Sequence, residues 1–170
     1  DVGPVYTVSI IPTGMGAAGY TMPLPERDEM FRTKGQLLQE IIVGLGGRVA
    51  EEMIFEDVTT GDSNDIKQAT ALARAMVTKY GMSEKLGLIH YGDDGEEVFI
   101  GRDLAHTRSY GEHMAGEIDQ EIKRIIDECY QRAGEILHEH KDVLESCAAL
   151  LLEKEKINRE EFEALFVQNS

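Results

Sequence analysis

The tightest constraint on this chain is one long run of helical periodicity. From Glu112 to His140, the side chains of Ile118, Ile122, Ile125, Cys129, Ala133, Ile136 and His140 recur at steps of three and four. That spacing lines them along one stripe of an α-helix about eight turns long. A helix with a single apolar stripe has to bury it against other elements, so the remaining sequence must supply partners. Two stretches do so upstream. Thr33 is a plausible cap for a helix from Lys34 to Phe55, with Leu38, Ile41, Ile42, Leu45, Val49 and Met53 inward. Gly44, Gly46 and Gly47 each cost that helix roughly 1 kcal/mol relative to alanine, which points to close packing or a bend. A second pattern, Ile66 to Tyr80, buries Ile66, Ala69, Thr70, Ala73, Met76, Val77 and Tyr80 and is closed by Gly81. Downstream, Lys141 to Lys156 reads as a helix turning Val143, Leu144, Cys147, Leu150 and Leu151 to its partner. Asn158 and Glu161 then stand at capping-box spacing before a last short helix around Phe162, Leu165 and Phe166.

Extended structure is confined to short pieces. Val5 to Ile11 is rich in β-branched residues and is stopped by Pro12, Gly14 and Gly16, while Ala17 to Met22 is stopped by Pro23-Leu24-Pro25. These two read as a hairpin or as two strands of a small sheet, whose edge could accept an extended peptide or could simply cover the core. Leu88 to Tyr91 and Glu97 to Ile100 are further strand candidates around the acidic turn Gly92-Asp93-Asp94-Gly95, which lacks the ligand pattern of a calcium loop. The expected fold is therefore mainly α: a compact helical domain with a small β-sheet near the N-terminal half and a C-terminal antiparallel helical lobe. Residues 1–104 would form a core lobe of strands and helices, and residues 105–170 the helical lobe.

Composition removes several classes of function. With 32 acidic against 17 basic side chains and a net charge of -15, the chain offers no phosphate-binding surface, so nucleic acid is not an expected partner. Cys129 and Cys147 make neither a disulfide framework nor a zinc ribbon and read as reduced, packed thiols. No apolar run approaches the roughly eighteen residues of a membrane span, and no signal segment opens the chain, so this piece is expected to be soluble and cut from something longer. Dinucleotide, Walker A and nucleophile-elbow motifs are absent. The five histidines include no H-E-x-x-H, and His138 and His140 are two apart, a spacing that a helix points in different directions.

The chemistry that remains gathers at Thr59-Thr60-Gly61-Asp62-Ser63-Asn64-Asp65, a polar link running into a helix. In the bland reading, Asp62 or Ser63 accepts hydrogen bonds from the first free N–H groups and Asp65 sits at the positive end of the helix dipole. In the functional one, Asp65 faces a metal or a cleft and needs partners from elsewhere. Glu51 and Glu52 close the preceding helix where the dipole disfavours acids, so they are either solvated or have one carboxylate turned inward.

The runs Thr7-Val8-Ser9-Ile10-Ile11-Pro12, Gly19-Tyr20-Thr21-Met22-Pro23, Leu45-Gly46-Gly47-Arg48-Val49-Ala50-Glu51-Glu52, Thr59 to Asp65 and Met76-Val77-Thr78-Lys79-Tyr80-Gly81-Met82-Ser83 together resemble the peptidase domain of the FtsH family. Members of that family, peptidase family M41, are membrane-anchored, ATP-dependent zinc metalloproteases, and the resemblance covers essentially the whole chain. It implies that Asp65 is the third protein ligand of a catalytic zinc. The two ligating histidines and the general-base glutamate would come from an H-E-x-x-H helix upstream of Asp1, so no catalytic residue is expected within this chain. It implies that Glu51 orients a ligand imidazole and that the strand Gly16, Ala17, Ala18, Gly19 and Tyr20 aligns extended substrate. It further implies a hexameric ring of identical subunits, unfolded polypeptide as substrate and ATP bound by a separate AAA domain. The longer protein would sit in the cell membrane through N-terminal segments, with the peptidase domain on the cytoplasmic side. One aspartate cannot hold a catalytic zinc, so this chain alone is expected to be inactive. The alternative is a non-catalytic, protease-like scaffold or assembly domain of a hexameric AAA complex.

Overall fold

The computed structural model describes residues 4–9, 20–23, 31–92 and 110–170. Three strands and five α-helices are formed there: β1 (Val5–Ser9), β2 (Tyr20–Pro23), α1 (Lys34–Phe55), α2 (Ser63–Thr78), α3 (Glu112–Glu139), α4 (Lys141–Lys154), β3 (Lys156–Asn158) and α5 (Arg159–Gln168), with a 3-10 turn over Thr60–Asp62. This is the mainly helical architecture with a small sheet that the periodicities predict. Contacts divide the chain into two units, Thr33–Gly134 and the pair Asp1–Arg32 with Glu135–Ser170, so the division falls within α3. The boundary expected at 104/105 lies outside the described residues.

The larger unit is built on α1, α2 and the first part of α3. The α1 stripe is Leu37, Ile41, Leu45 and Val49, a strict four-residue step that leaves the expected Leu38, Ile42 and Met53 half-buried at its margins. Thr33 caps this helix as expected, within a full capping box. Its Oγ1 accepts the Gln36 N–H at 3.2 Å, and Gln36 Oε1 accepts the Thr33 N–H at 2.6 Å. From α2 come Ala69, Ala73, Met76 and Val77, all buried, and the alanines let α1 approach closely. From α3 come Ile118, Ile122, Ile125 and Cys129.

The end of α2 corrects two expectations. The helix stops at Thr78, leaving Tyr80 exposed, and Gly81 takes the left-handed conformation (φ 61°) that lets the Met82 N–H reach back to the Met76 carbonyl at 2.9 Å. Leu88 to Tyr91 is not a strand. Leu88 is 93% exposed, and the Tyr91 N–H is spent on the Thr78 carbonyl at 2.8 Å, which leaves the backbone tied to a helix end rather than to a neighbouring strand. The companion candidate, Glu97 to Ile100, lies outside the described residues, as do Asp93 to Gly95 and His106.

In the other unit, β1 is the central strand of an antiparallel sheet ordered β2-β1-β3. Val8 stands opposite Thr21 on one side and Ile157 on the other, and the Thr7 hydroxyl donates to the Ile157 carbonyl at 3.0 Å. The third strand occupies residues the periodicity had given to the end of a helix and to a cap. Glu155, in a left-handed conformation (φ 63°), ends α4 at Lys154 and frees Lys156–Asn158 to pair. Asn158 nevertheless caps α5 with Glu161 in the expected box. His140, expected on the α3 stripe, lies just past the helix, exposed, with its ring edge-on to Phe166 at 5.6 Å.

Candidate metal centre

Arg48 and Glu51 lie three residues apart on α1 and so share a face of its last two turns. Opposite them the chain from Thr59 to Asp62 folds back. Glu51 holds Thr59 twice, accepting its N–H on Oε2 at 2.9 Å and its hydroxyl on Oε1 at 2.7 Å. Arg48 Nη2 donates to the Thr59 carbonyl at 3.3 Å, and its Nε donates to Asp62 Oδ2, also at 3.3 Å. Thr59 Oγ1 in turn accepts the Gly61 N–H at 3.2 Å, which starts the 3-10 turn. All three polar functions of Thr59 are therefore engaged, so the turn entering α2 is fixed against α1.

The electrostatics follow the partners. The two Thr59 hydrogen bonds, hydroxyl first, hold the Glu51 carboxyl below the usual range. Burial, and then the negative charge of Glu51, push Asp62 up, against the pull of Arg48. Neither Asp62 nor Ser63 behaves as the expected N-cap. Asp62 occupies the cap position of α2 but makes no cap hydrogen bond with its side chain, because that carboxylate is turned back toward Arg48. Glu52 takes a different direction from Glu51 and accepts the Tyr130 hydroxyl of α3, whose titration burial and this bond push up to about 12.

Gly47 explains part of the glycine pattern on α1. A Cβ there would lie 2.8 Å from Asp62 Oδ1, so only glycine admits that carboxylate as it stands. Gly46 has open space around it, and Gly44 faces the Asp65 carbonyl at ordinary contact distance.

Asp65 stands in the first turn of α2 with an exposed carboxylate that no described residue engages. An unengaged carboxylate at the positive end of a helix is chemically suited to ligate zinc, but a catalytic zinc takes three protein ligands. Among the described residues no three His, Cys, Asp or Glu side chains gather in a way that could hold a metal ion. The described residues thus fit zinc as one donor and not as a complete site. Of the other anticipated residues, Gly16, Ala17, Ala18 and Gly19 lie outside the described residues, and Tyr20 opens β2. Sequence reasoning missed Arg48, Thr59 and Asp62 as one unit. The available signal was the i, i+3 pair on α1 facing a glycine-containing polar link.

The described geometry offers one exposed carboxylate on a turn clamped to α1, and comparison with known proteins places the chain in a class of metallopeptidases. The chain belongs to peptidase family M41, whose sequence pattern matches residues 1–165. It is 55% identical over 163 residues to the ATP-dependent zinc metalloprotease FtsH 1 of Thermoanaerobacter sp. (strain X514), covering 96% of this chain and 26% of that protein. It is 54% identical over 170 residues to the ATP-dependent zinc metalloprotease FtsH of Caldicellulosiruptor bescii, covering 100% and 27%. The Bacillus subtilis (strain 168) protein of the same name is 50% identical over 162 residues, covering 95% and 25%. The chain thus spans about a quarter of the length of these relatives. No helix among the described residues is long and apolar enough to cross a membrane.

Proposed function

We propose that this chain is the larger part of the peptidase domain of an ATP-dependent zinc metalloendopeptidase that degrades unfolded and membrane proteins. One observation carries the reading: half or more of the residues are identical, over nearly the whole chain, to proteins named for that activity. Asp65 is the third zinc ligand, and the H-E-x-x-H helix of the longer protein provides two histidines and the general base. Bound zinc would polarise the scissile carbonyl and make hydroxide available near neutral pH. This chain's own share is to present the Asp65 carboxylate at a fixed point. Glu51 already accepts two hydrogen bonds from Thr59, and a carboxylate has about four acceptor positions, so it retains capacity for the N–H of a ligand imidazole. Gly16 to Tyr20 align the substrate backbone, which accepts many sequences because main-chain pairing is indifferent to side chains. Identical subunits form a hexameric ring, ATP is bound by a separate AAA domain, and the membrane is engaged by other segments of the protein.

The test uses the full-length protein and follows zinc content together with hydrolysis of an unfolded protein. Asp65→Ala is expected to abolish both while the circular dichroism of the helices is retained. Unchanged zinc and turnover would remove Asp65 from the site. The 170-residue chain, supplied with zinc, is expected to show no chelator-sensitive cleavage.

A further inference from the structure

Asp62 stands where an aspartate ordinarily caps a helix, and it does not cap. Asp62 is 9% exposed, and its carboxylate is turned back toward α1, where Arg48 Nε approaches at 3.3 Å and Gly47 leaves the space it fills. The 3-10 turn over Thr60–Asp62 runs directly into α2, with the Ser63 N–H on the Thr60 carbonyl, so the Asp62 carboxylate is available to tie this turn to α1 instead. Helical φ/ψ run from Ser63 onward, so the direction of Asp65 is set by where the first turn of α2 begins. We propose that Asp62, gripped by Arg48 and admitted by Gly47, is a positioning residue that aims the Asp65 carboxylate at its metal. This inference rests on the reading of Asp65 as a zinc ligand. Arg48 serves both ends of the turn, since its other contact is the Thr59 carbonyl, and Glu51 secures the rest of Thr59.

The experiment uses the full-length protein. It measures backbone hydrogen exchange over residues 59–66 in the metal-free form, and zinc affinity by competition with a chelator. Asp62→Ala and Gly47→Ala are each expected to speed exchange at 63–66 and to weaken zinc about tenfold, the scale typical of residues that hold a ligand in place. Asp62→Asn keeps an acceptor for Arg48 and is expected to bring affinity back to within about threefold of the parent. Circular dichroism confirms that each variant is folded, and Arg48→Lys, which keeps the charge but not the two-way contact, serves in place of any variant that is not. Faster exchange with unchanged zinc affinity would overturn the proposal and leave Asp62 a structural tie. Weakened zinc with unchanged exchange would also overturn it, since Asp62 would then not be acting through the turn. An Asp65→Ala control with parental zinc affinity would instead overturn the ligand reading itself, a failure distinguishable from the other two.

Discussion

Two carboxylates in the larger unit are almost equally buried, Asp62 at 9% exposure and Glu121 at 4%, and each is paired with an arginine, yet their protonation is driven in opposite directions. Glu121 projects from the core side of α3 and receives three donors. Arg124 grips it with Nε and Nη2, both at 3.0 Å, and the buried Ser83 hydroxyl donates at 2.6 Å. The Arg124 hydrogen bonds lead the effects that hold its carboxyl below the usual value despite desolvation. Asp62 receives one longer bond and has Glu51 beside it, so burial and repulsion win and its carboxyl is pushed up. Burial alone does not decide the fate of an acid; the number of donors it meets does. Glu121 is satisfied as part of the scaffold, whereas Asp62 is held in a place that electrostatics resists, at the turn that leads to Asp65.

The largest test of this contrast is Glu121→Ala. It leaves the Ser83 hydroxyl buried without its acceptor and Arg124 with Glu128 alone. Removing one partner of a buried pair costs about 3–5 kcal/mol, and Arg124 is nearly half exposed, so the expectation is nearer about 2–3 kcal/mol by urea unfolding. Ser83 Oγ also accepts the Leu86 N–H at 3.2 Å, so hydrogen exchange between Ser83 and Tyr91 should quicken with it. A loss below about 0.5 kcal/mol would place Glu121 among ordinary surface acids and end the contrast.

How far these two acids were legible in the sequence differs for the same physical reason. Periodicity reads what repeats locally, so the α3 stripe, the Asn158–Glu161 box and three of the four buried α1 positions, Ile41, Leu45 and Val49, were visible, while Leu37 was taken for its neighbour Leu38. Glu121 lies on that stripe as an acid three residues after Ile118 and three before its main partner, Arg124, but the third donor, Ser83, is 38 residues away and left no local trace. β3 was hidden likewise: three residues between two helices become a strand only because β1, some 150 positions earlier, lies alongside. Leu88 to Tyr91 failed in the other direction, since its apolar residues suggested a strand while its backbone bonds belong to the end of α2. The helix start near Asp65 was legible as chemistry. The metal role expected of Asp65 rests on the family resemblance, and the preference of Asp62 for Arg48 over its own helix was not legible, because a cap and a clasp use the same residue type.

A pH titration sharpens the comparison further. The lowered carboxyl of Glu121 contributes stability that is fully present above its ordinary value of 4.5 and is lost as pH falls through its folded value. The raised carboxyl of Asp62 has the opposite sign. Between its ordinary 3.8 and its higher folded value the native state holds a proton the unfolded chain does not, so acidification through that window relieves a cost. Subtracting the unfolding free energy of Glu121→Gln from that of the parent should therefore give a difference that shrinks from pH 6 to pH 3. The same subtraction for Asp62→Asn should give one that grows, and equal slopes would mean that the two acids share one environment.

The smallest expected effect is that of Asp62→Asn on stability at neutral pH. The amide oxygen can still accept from Arg48, and the repulsion between Asp62 and Glu51 disappears, so the lost charge-assisted bond and the relieved repulsion offset each other. Unfolding free energy should change by no more than about 0.5 kcal/mol, the range of substitutions without a buried defect. The matching Glu121→Gln has no such compensation, because it weakens a bidentate guanidinium bond and relieves no neighbouring charge large enough to replace it. Asp62→Asn costing as much as Glu121→Gln would mean that its single bond to Arg48 matters as much as the three donors around Glu121, and the distinction between a satisfied acid and a restrained one would have to be abandoned.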